Sequence, residues 1–224
     1  MQPRIFIGSA QVPGGAELTL YQRGKDFMIV LERNELMSSR MSGSEEALAD
    51  MTLQRLGGRA GLHLLIGGYG MGFTLRAALA ALDATAQVTV AELVPEIIDW
   101  ARGPMAELAA GCLDDPRVHL VHDDVADVIA GNHARYDAIL LDVDNGPDGL
   151  VRPDNDRLYS AQGLSVAMMA LRPGGVLAIW SAGPDQAFTR LLSRTGHRVD
   201  EVKVRARSNG KGPQHVIWFV TKAG

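Results

Sequence analysis

The residues of this sequence best suited to chemistry are a glycine-rich turn and several carboxylates, each placed just after a short apolar run. Gly67-Gly68-Tyr69-Gly70-Met71-Gly72 follows Leu64-Leu65-Ile66 and leads into a helix-like stretch from Phe73. Gly68, Gly70 and Gly72 permit a tight turn and close approach of a ligand to backbone N–H groups. Their G-x-G-x-G spacing departs from the dinucleotide G-x-G-x-x-G, and a turn that only packs a helix on a sheet uses the same residues. The next apolar run ends at Glu92. A carboxylate at that strand end can accept both hydrogen bonds of a ribose cis-diol. After Val118–Val121 come His122, Asp123 and Asp124. Asp123 is placed to accept from an adenine amino group, and Asp124 fits either that role or the N-cap of the following helix.

Asp142 ends the run Tyr136-Asp137-Ala138-Ile139-Leu140-Leu141, and Asp144, Asp148, Asp154 and Asp156 follow it, against Arg152 and Arg157. Ligands of open α/β sheets sit outside the carboxyl ends of the strands, which puts Asp142 where chemistry is expected. Such acid density suits a cationic amine, with Asp144 helping to hold it. A buried carboxylate binds the ammonium, takes a proton and leaves a nucleophilic nitrogen. Asp, Asn, Gly and Pro are also ordinary turn residues. Calcium is excluded, because Pro153 stands where an EF-hand loop needs its twelfth-position Glu.

The elements that must position these groups are legible from the apolar pattern. Residues 1–57 are strand-rich, with a turn at Arg23-Gly24-Lys25-Asp26, and end in a helix that Ser44 is placed to cap and Gly57-Gly58 stops. Residues 58–224 alternate short apolar runs with helical stretches, including one long helix from Glu96 to Ala110. That alternation predicts βαβ units, a mostly parallel sheet and strands buried on both faces. The stretches Val199–Ala206 and His215–Lys222 are expected to pair as an antiparallel hairpin. Trp180 ends a strand on the ligand side, a place from which it can line a pocket.

Composition removes other classes. The 224 residues hold 22 Lys plus Arg and 26 Asp plus Glu, a formal charge of -4, which argues against a phosphate-gripping nucleic-acid binder. The single cysteine, Cys112, forms no intrachain disulfide, and the six histidines lack metal-site spacing, so no metal is expected. No apolar run approaches the roughly 20 residues of a membrane span, and the first residues do not read as a signal peptide.

The stretches 66–77, 91–101, 121–129, 136–149 and 158–180 resemble the spermidine synthase family, as does Glu35–Asp50 ahead of them. The resemblance implies an α/β fold, the Rossmann-like class I SAM-dependent methyltransferase fold, with a small N-terminal β-rich part. It implies decarboxylated S-adenosylmethionine, or S-adenosylmethionine itself, as co-substrate, a small-molecule amine as acceptor, and a cytoplasmic homodimer. Carried over by residue, Gly68, Gly70 and Gly72 match the glycine loop, Glu92 the ribose acid, and Asp123 the adenine acid with Asp124 beside it. Asp142 matches the aspartate that deprotonates the amine, and Tyr159 lies near a substrate-side aromatic. Met71 stands where the family loop usually has the Asp that holds the aminopropyl ammonium. Ser44 to Asp50 stands where the family has its D-E-x-x-Y-H-E run. The implied activity is aminopropyl transfer with release of methylthioadenosine. A methyltransferase using the intact donor, or a binding protein that has lost turnover, are the alternatives on the same fold.

Overall fold

The computed structural model describes residues 2–32, 34–143 and 155–224. Among these residues the strands form two sheets. The first is antiparallel, with β1 (Ile5–Gln11), β2 (Glu17–Arg23), β3 (Asp26–Leu31) and β4 (Asn34–Ser38) in chain order. Gly24, at φ +61°, makes the β2–β3 turn where Arg23 pairs with Asp26. Helix α1 (Gly43–Leu56) follows and ends in Gly57 at φ +68°, a left-handed helix stop. Ser44 does not cap it. Ser42 holds the cap position, and the Ser44 hydroxyl instead meets Glu45 and His215.

The second sheet is built from β5 (His63–Gly67), β6 (Gln87–Ala91), β7 (Val118–Val121), β8 (Tyr136–Leu141), β9 (Leu171–Ser181), β10 (Arg198–Arg205) and β11 (Gln214–Thr221). Its order is β10-β11-β9-β8-β5-β6-β7. The strands from β9 to β7 run parallel, while β11 is antiparallel to both β9 and β10. This is the expected Rossmann-like α/β architecture with its terminal hairpin. From β5 the chain steps outward to β6 and β7, then returns to place β8 on the other side. The crevice between β5 and β8 is therefore the topological switch point, where such sheets bind ligands.

Residues alternate between the two sheet faces, as strand geometry requires. Leu64, Ile66, Ala138 and Leu140 face a core shared with α1, α2 (Phe73–Ala81), α3 (Pro95–Arg102) and the small sheet. Leu65, Ile139, Leu141 and Ile179 face a second core with α5 (Val125–Ala130), α6 (Asn155–Tyr159), α7 (Ala161–Ala170) and α8 (Gln186–Ser193). The long helix expected from Glu96 breaks after Arg102. Pro104 has no N–H to continue the ladder, and only the short α4 (Ala106–Ala109) resumes. No helix among the described residues is long and apolar enough to cross a membrane.

Candidate active site

The switch point is drawn tight by backbone. The Asp142 N–H donates to the Gly67 carbonyl at 3.0 Å, and the Gly68 N–H donates to the Ala91 carbonyl at 2.9 Å. A Cβ on Gly68 would fall 2.5 Å from the Asp142 carbonyl oxygen, in a backbone at φ +83°. Glycine is thus required where β5 and β8 end side by side. Gly72, at φ +80°, starts α2 and faces the Tyr69 hydroxyl. It shapes the turn and lines neither of the two pockets that flank the switch point.

The first pocket is lined by Gly68, Gly70, Glu92, Asp123, Asp124 and Asp142 on one side. Val12, just past β1, and Leu18, Ile29, Leu36 and Met37 of the small sheet cover the other. The covering role of that sheet was not legible in the sequence, because it depends on how the two sheets pack. Glu92 is buried at 5% exposure. Its Oε2 accepts from the Tyr69 N–H at 2.8 Å and its Oε1 from the Val94 N–H at 2.9 Å. Burial raises its pKa, and these backbone donors oppose the rise. The Gly70 and Leu93 N–H groups also favour its ionised form. Asp123 is exposed at the rim and accepts from the Asp124 N–H at 2.8 Å. Asp124 caps α5 by accepting from the Ala126 N–H at 2.8 Å while also lining the pocket.

The second pocket is lined by Leu36, Met37, Ser38, Glu45, Tyr69, Gly70, Met71, Phe73, Asp142 and Trp180. Gly70 and Asp142 line both pockets, so the two meet at the end of β8. Asp142 Oδ2 accepts from the Thr74 hydroxyl at 2.7 Å, at the first turn of α2. Burial raises the Asp142 carboxyl from 3.8 to about 6, with the Thr74 bond pulling the other way. Glu45 is raised further, from 4.5 to about 8, by burial first and by the negative charge of Asp142 second. Both acids are therefore held above the ordinary carboxylate range, Glu45 the further of the two.

Glu45 and Thr74 were missed in the sequence. The signal for Glu45 was Gly43. A Cβ there would fall 2.4 Å from the backbone of Arg207 and Ser208, so only glycine lets α1 dock at that depth. Docking places Ser44 between Glu45 Oε2, at 2.6 Å, and His215 Nδ1 on β11, at 2.9 Å. Burial lowers the His215 pKa and keeps the ring neutral. Tyr159 lies outside both pocket linings. Its ring packs edge-on to Phe188 at 5.8 Å, and its hydroxyl donates to the Val143 carbonyl at 3.4 Å, behind the pocket wall. Asp144 lies outside the described residues. Among the described residues, no cluster of three acids, histidines or cysteines could hold a metal.

Residues 43–189 match the family model for the spermine/spermidine synthase domain. The chain belongs to the spermine/spermidine synthase family. It is 36% identical over 113 residues to the polyamine aminopropyltransferase of Mycobacterium tuberculosis H37Rv, covering 48% of this chain and 21% of that one. It is 32% identical over 187 residues to that of Corynebacterium efficiens, covering 79% of this chain and 34% of the relative. The chain thus matches about a fifth to a third of the length of these relatives. The spermidine synthase of Thermotoga maritima superposes with a TM-score of 0.77 at 18% identity, over 97% of this chain and 73% of that one. A spermidine synthase in complex with the transition-state analogue AdoDATO gives 0.76 at 18%, over 97% and 72%. These two likenesses concern the fold. In this spermine/spermidine synthase domain, the pocket side of the glycine loop carries Met71, buried at 4% exposure, with Glu45 of α1 lining the same pocket.

Proposed function

We propose that this protein is an aminopropyltransferase that takes decarboxylated S-adenosylmethionine and a primary amine and releases methylthioadenosine. The observation that carries the reading is Asp142, one carboxylate shared by a nucleoside-shaped pocket and an acid-bearing pocket. Glu92 accepts from the ribose diol, Asp123 from the adenine amino group, and the sulfonium sits at the neck beside Gly70. Asp142 accepts a proton from the incoming ammonium. The freed nitrogen lone pair forms an N–C bond to the propyl carbon next to sulfur. The C–S bond breaks, its electron pair stays on sulfur, and neutral methylthioadenosine leaves. Glu45 replaces the missing loop acid as partner of the donor's own ammonium, giving up its proton when that cation arrives.

The charge inventory also favours the decarboxylated donor over S-adenosylmethionine. Among the described residues lining the two pockets there is no Lys or Arg to meet a methionine carboxylate, and an ionised Asp142 would repel it. Residues 58–224 carry the nucleoside groups and Asp142, while residues 1–57 contribute the cover and Glu45. A cytoplasmic homodimer belongs to the same reading, supported by the family resemblance. The test is release of methylthioadenosine from the decarboxylated donor with a panel of primary amines, together with mass detection of the extended amine. Release that requires Asp142 is the expected result. Absence of release with every amine contradicts the reading.

A further inference from the structure

The second pocket carries a hydrogen-bond donor that a simple polyamine does not answer. Among the described residues, four buried side-chain N or O atoms lack a protein partner, and two of them, Ser38 Oγ and Trp180 Nε1, belong to residues lining this one pocket. Trp180 is 7% exposed, and its ring is held edge-on to His215 at 4.9 Å. Ser38 is 3% exposed at the end of β4. Buried polar groups are nearly always paired, so two in one cavity call for a ligand atom. An indole N–H is a donor only, and so is an ammonium, so the far ammonium of a diamine cannot pair with Trp180. A serine hydroxyl both donates and accepts, so Ser38 pairs with a ligand hydroxyl or an ammonium alike, and Trp180 makes the choice between them. A carboxylate would accept from Trp180 but would meet the charge of an ionised Asp142 in the same pocket.

We propose that the acceptor is an amine carrying an uncharged, hydrogen-bond-accepting oxygen, of the hydroxyl class, which takes the Trp180 Nε1 hydrogen and pairs with Ser38. The inference rests on the transferase reading for its chemistry, and on the pocket alone for its binding selectivity. In the reaction the amine nitrogen still attacks and loses its proton to Asp142. The oxygen stays unreacted and orients the chain.

The experiment compares aminobutanol, diaminobutane and butylamine as acceptors for the full chain, in the wild type, Trp180→Phe and Ser38→Ala. Two readouts are used: methylthioadenosine release with the decarboxylated donor, and calorimetric binding of each amine in the presence of methylthioadenosine. The expected result is that aminobutanol exceeds diaminobutane in kcat/KM and in affinity. Trp180→Phe should cut the aminobutanol-to-butylamine ratio by about three- to tenfold, the size of one hydrogen bond. If no amine is turned over but aminobutanol still binds in a Trp180-dependent way, the transferase reading fails and this inference stands. Preference for diaminobutane, equal binding of all three amines, or an equal loss for all three in Trp180→Phe overturns it. Phe keeps the packing on His215, and near-UV circular dichroism checks that both variants are folded.

Discussion

In the proposed reaction, Asp142 and Glu45 divide the acid–base work by where each is buried. Asp142→Asn keeps the shape and the Thr74 contact but removes the proton acceptor. It should lower methylthioadenosine release by about 10²–10⁴-fold, while calorimetric affinity for methylthioadenosine stays within about threefold. For the wild type, kcat/KM should rise with pH through about 6 and again towards about 8 as the two acids ionise. Glu45→Gln should remove the upper rise, which a pH–rate profile reads directly. The same substitution tests stability. Burial holds the Glu45 carboxyl above its usual value, so the folded chain binds more protons than the unfolded chain between pH 4.5 and about 8. Stability contributed below pH 4.5 is therefore lost as pH rises through about 8. Glu45→Gln should stabilise the fold at pH 9 relative to wild type, on the order of a few kcal/mol and read as a higher Tm, with little effect at pH 5. Asp142 was visible in the sequence because a charged residue closing a six-residue apolar strand has few structural uses. Glu45 was not, because its neighbour Ser44 resembled an ordinary cap and its burial depends on β11, some 170 positions away.

At the scale of elements, β5 and β8 set the site at one end and the sheet's anchorage at the other. Gly68→Ala puts a side chain on the Asp142 carbonyl in a left-handed backbone. It should destabilise the fold by about 1–3 kcal/mol in urea titrations and weaken nucleoside binding at least tenfold. At the opposite end of β8, Asp137 accepts from the His63 N–H at 2.8 Å and from Arg172 at 2.7 Å. Asp137→Ala orphans that buried N–H and should cost about 1–3 kcal/mol, with nucleoside affinity unchanged. The βαβ alternation and the terminal hairpin were legible because strands buried on both faces leave long apolar runs and turns leave Gly and Pro. The break at Gly103-Pro104 was legible in the same terms. The expectation of one continuous helix gave the apolar pattern more weight than the missing proline N–H.

For the whole molecule, the small sheet and the Rossmann-like sheet share one apolar core, and the pocket proposed for the nucleoside lies where they meet. The closure of the pocket by Val12, Leu18 and Ile29 was not readable, since it arises only from tertiary packing. The resulting cavity carries acids and no described cation, which ties donor choice to charge. The most direct measurement is a pair of calorimetric titrations of the full chain, one with decarboxylated S-adenosylmethionine and one with S-adenosylmethionine, at the same pH and salt. The decarboxylated donor should bind at least tenfold more tightly, a difference of about 1.4 kcal/mol. Equal or tighter binding of the intact donor would contradict aminopropyl transfer, and with it the pairing of Glu45 with the donor ammonium and of Asp142 with the attacking amine.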